Sequence, residues 1–416
     1  ADDLDRFDDV VSRRRFFGIV GKGSALLGFG AGVSAALSGL FGRGLIPVAW
    51  ADEEKKTILG KPEMTIHNDR PVNGEFAPHL LDDDVTPTNR HFVRNNGLVP
   101  QQAEKMSLQG WALTIDGEVS KKLQLSMDDL KKFPEVKAKY TVECGGNGRG
   151  LFDPKVRGNP WGRGAIGCSE WTGVRLKDVL SEAGLKDSAV YTSHYGEDPS
   201  LNPEKVPQFS RGIPIDKALD EHTLIAYKMN GEDLPALNGY PVRVLVPGWI
   251  GSCSQKWLNR IWVRDQVHDS KKMKGYAYRV PAYPVVPGVK PPKEDMVIAT
   301  AWHIKSLITS PAEEAEFKAG ESIKVRGHAW AGEDTVKKVM VSTDYGITWS
   351  KTKLHKPANK YAWASFETKV KFPGRGYEIW ARAFDDKDKA QPFRQPWNPK
   401  GYLGNVIHRI PVNVAA

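Results

Sequence analysis

One cysteine stands in a setting that is suited to chemistry. Cys144 follows the strand-like residues 140–143 and opens a loop of small residues, Gly-Gly-Asn-Gly-Arg-Gly. Small side chains leave room for a large ligand to approach the thiol. Positive charge favours the thiolate, the form that binds soft metals, and arginines suit oxyanions. Four basic residues follow closely: Arg149, Lys155, Arg157 and Arg163. Spacing alone leaves open whether Cys144 is a metal ligand or a buried structural cysteine.

Other chemistries find less support in the sequence. No CxxC, HExxH, CxxCH or P-loop motif occurs after residue 51, so neither a structural zinc site nor covalent haem is expected. A cysteine-nucleophile hydrolase is compatible with the ten histidines, but nothing local identifies its base. The net charge of +9 is spread along the chain without nucleic-acid-binding motifs. This charge favours a soluble basic surface over nucleic-acid binding, and an anionic ligand or an acidic protein partner would use the same charge.

The first 51 residues have the pattern of an export signal. Arg13-Arg14-Arg15 precedes a stretch rich in glycine, alanine and leucine, and Ala49-Trp50-Ala51 fits a cleavage site. The paired arginines predict a Tat signal peptide and a periplasmic protein that is exported after its cofactor is inserted. An uncleaved membrane anchor is the alternative, which Lys22, Arg43 and many glycines disfavour.

The rest of the chain divides into several parts. At 416 residues the chain exceeds what one core usually fills. Residues 52–105 predict an extended arm, residues 106–282 a mixed α+β domain, and residues 283–295 a stiff proline-rich linker. The segment from Leu176 to Gly184 predicts a helix with a glycine stop. From residue 296 to 416 the apolar period falls to two, as at Ile323 and Val325, which predicts an immunoglobulin-like β-sandwich.

Several segments together resemble the sulfite oxidase family of molybdopterin enzymes, in the right order over almost all of the chain after residue 51. They are Cys144-Gly-Gly-Asn-Gly-Arg149, Trp161-Gly-Arg-Gly-Ala-Ile-Gly, Trp171-Thr-Gly-Val-Arg-Leu, Ala226-Tyr-Lys-Met-Asn-Gly, Pro241-Val-Arg-Val-Leu-Val-Pro-Gly, Lys256-Trp-Leu and Trp397-Asn-Pro-Lys-Gly-Tyr-Leu. Within the family, residues 89–98 and the twin-arginine leader most resemble the SoxC group, the molybdenum subunits of sulfane dehydrogenases. The resemblance implies a catalytic domain followed by a dimerisation domain.

The resemblance also implies roles for individual residues. Cys144 would be the one protein ligand of a molybdenum–molybdopterin cofactor, and Tyr278 would be the active-site tyrosine, although Tyr276 is close enough to compete. Residues implied to hold the cofactor are Arg94, Asn95, Asn96, Asp198, Asn238, Arg243, Ser254, Gln255 and Lys256. Residues implied at the substrate pocket are Arg94, Arg149, Arg157 and Trp161, with Lys400 reaching in from the C-terminal domain. Trp161 could instead be core, and Lys400 a solvated loop lysine.

The sequence departs from animal relatives at two positions. Asn238 replaces a histidine and Cys253 an arginine, so the cofactor phosphate must be held differently there. Cys168 and Cys253 both lie in cofactor-associated motifs, which leaves a disulfide between them open.

The resemblance implies oxidation of a carrier-protein cysteine persulfide by oxygen-atom transfer at molybdenum. Electrons would leave to a c-type cytochrome subunit, because no haem is expected on this chain. The protein would be a homodimer, formed through the C-terminal domain, within a heterotetramer. A free-sulfite dehydrogenase and a non-catalytic scaffold module are the alternatives.

Overall fold

The computed structural model describes residues 60–204, 208–372 and 377–415. The predicted leader and the first residues of the predicted arm lie outside these ranges. The described ranges contain 24 strands and four short α-helices. None of these helices has the length and apolar character that crossing a bilayer requires.

Residues 60–105 contact both later domains. They contain strands β1 (Thr65–Asp69), β2 (Val72–Glu75) and β3 (Val93–Arg94), which pair antiparallel in that order, and helix α1 (Gln101–Glu104). Four apolar side chains of this segment are buried in a cluster shared with both domains: Met64, Phe76, Leu81 and Val93. The Glu75 carboxylate accepts hydrogen bonds from the amides of Gly162 (2.6 Å) and Gly164 (2.8 Å). This packing fixes the position of β3 and of Arg94 at its end.

Two five-stranded sheets form the first domain. Their strands are β4 (Leu113–Gly117), β5 (Leu123–Leu125), β6 (Glu135–Glu143), β7 (Ile166–Arg175), β8 (Tyr191–Gly196), β9 (Ser210–Pro214), β10 (Leu224–Met229), β11 (Glu232–Asp233), β12 (Arg243–Leu245) and β13 (Leu258–Arg264). One sheet has the order β11-β10-β7-β6 with β12 on β10, and the other β5-β4-β13-β8-β9. Strands β4 and β13 pair parallel. Nine residue pairs join β6 to β7, so the end of β6 is held firmly where the cysteine loop begins.

The helices of this domain are α2 (Met127–Leu130), α3 (Leu176–Ala183) and α4 (Ile215–Ala218). Helix α3 buries Leu176, Val179, Leu180 and Ala183, whose spacing places them on one face. It ends at Gly184, which has φ +67°. The predicted helix with its glycine stop is therefore confirmed.

The last third of the described chain is a sandwich of two sheets. Its strands are β16 (Lys305–Ser310), β17 (Glu316–Lys318), β18 (Ser322–Trp330), β19 (Val336–Ser342), β20 (Ser350–Lys351), β21 (Lys353–Leu354), β22 (Ala364–Lys371), β23 (Tyr377–Asp385) and β24 (His408–Ala415). The sheet orders are β16-β18-β22-β21 and β17-β24-β23-β19-β20. Ile323 and Val325 point into the core while their neighbours at 322 and 324 are exposed, as the two-residue period predicts. The structure agrees with the predicted α+β domain followed by a β-sandwich.

The predicted linker, residues 283–295, connects two short paired strands, β14 (Arg279–Pro281) and β15 (Met296–Ile298). Three antiparallel residue pairs hold its ends together. Because β14 directly follows Tyr278, this pairing also restrains the backbone at the edge of the site described next.

Candidate cofactor and active site

A cavity with about 650 Å³ of empty space, part of it open to solvent, lies beside the end of β6. Ten of the residues predicted from the sequence line it: Arg94, Asn96, Cys144, Asp198, Asn238, Arg243, Ser254, Gln255, Lys256 and Tyr278. Asn95 is buried beside them, and its side-chain oxygen accepts a hydrogen bond from Lys256. The fold thus gathers into one cavity residues that are spread over more than 180 positions of the sequence.

A tight loop presents the Cys144 thiol to the cavity. The Cys144 amide donates to the carbonyl of Ala165 (2.9 Å), and its carbonyl accepts from the Asn147 amide (2.7 Å). The Asn147 side chain locks the turn, since it donates to the Glu143 carboxylate (2.8 Å) and accepts from the Ala165 amide (3.1 Å). Gly148 has φ +87°, a conformation that glycine adopts without a Cβ clash. These contacts hold the thiol at a fixed place.

Arg94, at the end of β3, lies next to this thiol. Its guanidinium interacts with the Cys144 side chain and donates to the Asn96 side-chain oxygen at 2.9 Å. Burial opposes the charge, but the interactions with Tyr278 and Cys144 outweigh it and raise the pKa of Arg94. A permanent cation therefore faces the thiol, where it could neutralise an anionic ligand or substrate.

Two further cations are buried in the cavity wall. Arg243 donates to the carbonyls of Asn238 (3.0 Å) and Ser254 (3.0 Å), and Lys256 donates to the carbonyl of Leu237 (2.7 Å). Burial lowers the pKa of Arg243 to about 9 and, with the nearby charge of Arg243, lowers the pKa of Lys256 well below its usual range. Keeping the guanidinium or the ammonium charged in this buried site therefore costs free energy unless an anion binds beside it.

Among the described residues that line the cavity, one carboxylate stands against these cations. It belongs to Asp198, whose pKa burial raises to about 7. Lys61 of the arm adds another buried amine nearby, and burial lowers its pKa to about 7. Unbalanced buried charge of this kind is costly unless a partner of opposite sign binds. The electrostatics of the cavity therefore favour an anionic ligand.

Several buried polar atoms at the cavity have no hydrogen-bond partner within the described part of the chain. They are Asn95 Nδ2, Asp198 Oδ1, Asn238 Oδ1, Arg243 Nε, Ser252 Oγ and Gln255 Oε1. Such atoms are rare in folded proteins, because burying them unpaired costs free energy. Donors and acceptors both occur in this set. A ligand with a mixed hydrogen-bonding edge and an anionic group would satisfy them.

The structure places Tyr278, not Tyr276, at the cavity. The Tyr278 hydroxyl lies 3.2 Å from the side-chain amide of Asn96, and the residue has φ +52°. A left-handed backbone is costly for a bulky residue and is often found at functional sites. Tyr276 instead donates its hydroxyl to the carbonyl of Pro291 at 2.7 Å, within the linker. Tyr278 is therefore the tyrosine that can act on a bound ligand.

Four residues predicted at the substrate pocket do not line the cavity: Arg149, Arg157, Trp161 and Lys400. The Arg149 guanidinium donates to the carbonyls of Lys400 (3.0 Å) and Asn159 (3.2 Å), so those donors face backbone. Trp161 is fully buried, and its ring meets His67 edge to face. Arg157 is exposed on the surface. The structure thus places none of these side chains in the cavity lining.

The disulfide that the sequence left open is not formed. All three cysteines are free and buried. Cys168 lies in β7, where burial raises the pKa of its thiol to about 11. The Cys253 sulfur instead accepts a contact from Arg211 at 3.5 Å. The Cys253 thiol therefore contacts Arg211, and it is not bonded to Cys168.

Several residues at the site were not predicted from the sequence. His91, Phe209, Ser252 and Trp257 also line the cavity. His91 and Trp257 occur inside motifs that carry the resemblance, so those motifs contain a signal for both residues. Phe209 precedes a strand that shows no distinctive pattern. No local signal marks it, because its place at the cavity depends on tertiary packing.

Comparison with known proteins agrees with this site. Residues 97–272 match the family "Oxidoreductase molybdopterin binding domain", and residues 297–415 match "Mo-co oxidoreductase dimerisation domain". The chain is 32% identical to mitochondrial sulfite oxidase of Rattus norvegicus over 88% of this chain and 69% of that one. It is 34% identical to that of Mus musculus over 85% and 66%. The chain thus spans about two thirds of the length of these relatives.

Among solved structures, the chain resembles the sulfane dehydrogenase SoxCD from Paracoccus pantotrophus. The TM-score is 0.71 at 25% identity, and the match covers 92% of each chain. Together the two-domain fold, the fixed thiol and the anion-binding cavity define a molybdopterin-dependent oxidoreductase. The chain belongs to the sulfite oxidase family. The predicted fold class and family resemblance are confirmed.

The residues present fit the molybdenum cofactor of this family. A pterin has a mixed donor and acceptor edge and carries a phosphate, which suits the unpaired polar atoms and the buried cations. Arg243 and Lys256 would hold the anionic part, and Asp198, Asn238 and Gln255 could pair with the ring edge. The Cys144 thiolate would be the protein ligand of the metal. The structure thus offers a partner for each chemical part of the group.

The charge argument predicts the behaviour of Arg243→Met. Removing this buried cation should lower the amount of bound molybdenum cofactor by about tenfold at limiting supply, because a charge-assisted contact to the anion is lost. The thermal midpoint of the cofactor-free chain should not fall, since an unbalanced buried charge is removed too. Molybdenum analysis and calorimetry measure the two effects. Full cofactor content in Arg243→Met would contradict the assignment of Arg243.

Proposed function

We propose that the chain is the molybdenum subunit of a periplasmic sulfane dehydrogenase. It oxidises the sulfane sulfur of a cysteine persulfide on a carrier protein to the sulfonate level, in thiosulfate and sulfur oxidation, and passes electrons to a c-type cytochrome subunit. The likeness to the sulfane dehydrogenase structure over 92% of both chains is the observation that carries this proposal. Conversion of a persulfide R–S–S⁻ to R–S–SO₃⁻ takes three water oxygens and releases six protons and six electrons.

Each part of the cavity has a role in this reaction. When bound, the molybdenum cofactor supplies two-electron oxygen-atom transfer to sulfur. Cys144 supplies the thiolate that fixes the metal, and the cations described above hold the anionic group. Arg94 faces the thiol, so it can orient an anionic sulfur and stabilise the negative charge that develops on its oxygens. Tyr278 presents a hydroxyl that Asn96 orients, and this hydroxyl can donate a hydrogen bond to a reacting oxygen.

The second domain supports the proposed assembly, and the leader supports the proposed location. Residues 297–415 match a dimerisation domain, and we expect two copies to pair through the sandwich. One cytochrome subunit per copy would complete a heterotetramer. The twin-arginine motif in residues 1–51 supports export by the Tat route to the periplasm.

A basic surface near Lys400 suits a protein-borne substrate. Burial and the positive charges of Lys290, Arg149, Arg157 and Lys272 lower the pKa of Lys400, which places these groups around it. Arg157 and Lys290 are exposed. Val286 and Val289, in the same linker as Lys290, expose 69% and 52% of their surface. Apolar side chains beside basic ones can bind an acidic carrier protein, and the charge would speed its approach.

The function is tested by comparing oxidation of a persulfidated carrier protein with oxidation of free sulfite. We expect kcat/KM to be higher for the carrier. Lys290→Glu should raise the KM for the carrier roughly threefold to tenfold at low salt, because it reverses a charge at the docking surface. It should change the sulfite reaction less. Lys351→Glu, on the exposed edge strand β20, is the matched control and should leave both reactions unchanged.

Oxidation of free sulfite to sulfate is the second candidate. It is favoured by the match to sulfite oxidases at 32–34% identity over 85–88% of this chain. A higher kcat/KM for sulfite, with Lys290→Glu and Lys351→Glu indistinguishable on the carrier, would support it and contradict the sulfane proposal.

A further inference from the structure

Four side chains from distant parts of the chain form one stack beside the cavity. The rings of Tyr278 and Tyr402 are stacked, with centroids 5.4 Å apart and planes 17° from parallel. The guanidinium carbon of Arg211 lies 5.0 Å from the Tyr278 centroid, and that of Arg149 lies 5.2 Å from the Tyr402 centroid. Because each tyrosine covers one face of the other, the arginines take the outer faces. The order of the stack is Arg211, Tyr278, Tyr402, Arg149.

Hydrogen bonds to backbone carbonyls anchor both ends of the stack. Arg211 is fully buried and donates to the carbonyls of Lys272 (3.2 Å) and Ala299 (3.3 Å). Arg149 donates through Nε to the carbonyl of Lys400 (3.0 Å), two residues before Tyr402. The backbone of three separate segments therefore fixes the two guanidinium planes, and these in turn fix the rings between them.

Tyr278 is the member of the stack that faces the cavity, and its conformation needs support. Its backbone has φ +52°, which costs a bulky residue free energy unless its surroundings impose it. Aromatic stacking and two cation–π contacts in a buried setting can hold the residue in this conformation. Without Tyr402 one face of the Tyr278 ring would lose its partner, and its hydroxyl could move away from Asn96.

We propose that Tyr402 is a positioning residue: clamped by Arg149, it holds the phenol of Tyr278 over the cavity, so that the C-terminal domain completes the active site of its own chain. This inference rests on the proposed oxidation of sulfur in the cavity. It also gives Arg149 a role different from the one that the sequence resemblance implied. Arg149 acts through Tyr402, and its guanidinium does not face the substrate anion.

The first test compares Tyr402→Phe with Tyr402→Leu in the cofactor-loaded enzyme. Phenylalanine keeps the stacked ring but loses the hydroxyl contact with the Tyr278 backbone, so kcat should fall less than it does with leucine. Leucine removes the ring, and kcat should fall about tenfold while KM changes less than about twofold, because positioning affects the reacting geometry more than substrate binding. Molybdenum content should be equal in all three proteins. A leucine variant with the kcat of the phenylalanine variant would overturn the proposal.

A spectroscopic measurement tests the stack without using activity. In protein labelled with ¹³C in its tyrosine rings, the Tyr278 resonance is identified by its loss in Tyr278→Phe. The ring current of residue 402 should shift this resonance in wild type and in Tyr402→Phe, and the shift should vanish in Tyr402→Leu. If the Tyr278 resonance does not move in Tyr402→Leu, the stack is overturned, whatever the activity of the enzyme. If the wild-type enzyme oxidises none of the sulfur substrates, that result counts against the proposed function and leaves the test of the stack unaffected.

Variants of Arg149 separate positioning from direct anion binding. Arg149→Lys keeps the charge but loses the planar fork that bonds the Lys400 carbonyl and lies on Tyr402. We expect Arg149→Lys to lose kcat about as severely as Arg149→Ala, and to the same extent at low and high salt. Suppose instead that Arg149→Lys keeps the wild-type kcat and that the loss of kcat in Arg149→Ala shrinks as salt is added. That result would show that Arg149 faces an anion and would overturn its role in the stack.

Discussion

Replacing Cys144 by serine is expected to lower turnover of any sulfur substrate by about three orders of magnitude or more while leaving the chain folded. A serine oxygen is a hard ligand and a poor substitute for the thiolate that soft metals prefer. The backbone bonds that shape the loop, to Ala165 and Asn147, do not involve the sulfur atom. Steady-state kinetics on protein of known molybdenum content, with circular dichroism for the fold, measures both parts of this prediction.

Cys168→Ser is the matched control for this variant. Cys168 is also buried, but it lies in β7 and does not line the cavity, and burial raises the pKa of its thiol to about 11. We expect Cys168→Ser to retain turnover within about threefold, with a modest loss of thermal stability. Near-normal turnover in Cys144→Ser, or equal losses in the two variants, would show that Cys144 has no special role.

Lys305→Met is expected to lower the free energy of unfolding by about 3–5 kcal/mol. Lys305 in β16 forms a buried ion pair with Glu143, whose other oxygen accepts from the Trp330 indole at 2.7 Å. Burial raises the pKa of Glu143 and lowers that of Lys305, which shows how strongly each charge depends on its partner. Losing the ammonium leaves the carboxylate buried without its counter-charge. Since Glu143 directly precedes Cys144, the same variant should loosen the cysteine loop.

Two variants test the origin of this loss. Combining Lys305→Met with Glu143→Gln removes both charges and should recover at least half of the lost stability, because the unpaired carboxylate is gone. Lys337→Met breaks an exposed ion pair with Asp388 and should cost less than about 1 kcal/mol. Calorimetric unfolding of the four proteins measures these differences. A Lys305→Met loss no larger than that of Lys337→Met would mean that the pair does not join the two domains energetically.

Local pattern was enough to predict much of this molecule. Helix α3 and strand β18 could be predicted because burial on one face leaves a periodic trace in contiguous residues. The cysteine loop could be predicted for a similar reason, because Asn147 and Gly148 lie in a turn whose hydrogen bonds join residues fewer than five positions apart. Most of the cofactor cavity was predictable through motifs that the family resemblance brought together.

The rest depends on contacts between residues that are far apart in sequence. The predicted place of Arg149 could not be settled, because its partner carbonyl at Lys400 lies 251 positions away. Tyr278 and Tyr276 are two residues apart, and their roles are separated by tertiary contacts, since the Tyr278 hydroxyl meets Asn96 while the Tyr276 hydroxyl meets Pro291. Arg211 lies in a short strand whose pattern does not predict that an arginine is fully buried. Sequence periodicity reports burial along one element, but it cannot report which elements meet.

X-ray absorption at the molybdenum edge of the purified holoenzyme tests whether Cys144 binds the metal. Two sulfur neighbours of the metal would come from the pterin dithiolene, and we expect a third in the wild-type protein, supplied by Cys144. Cys144→Ser should show only the pair. A wild-type spectrum with two sulfur neighbours, unchanged in the serine variant, would mean that Cys144 is not a ligand.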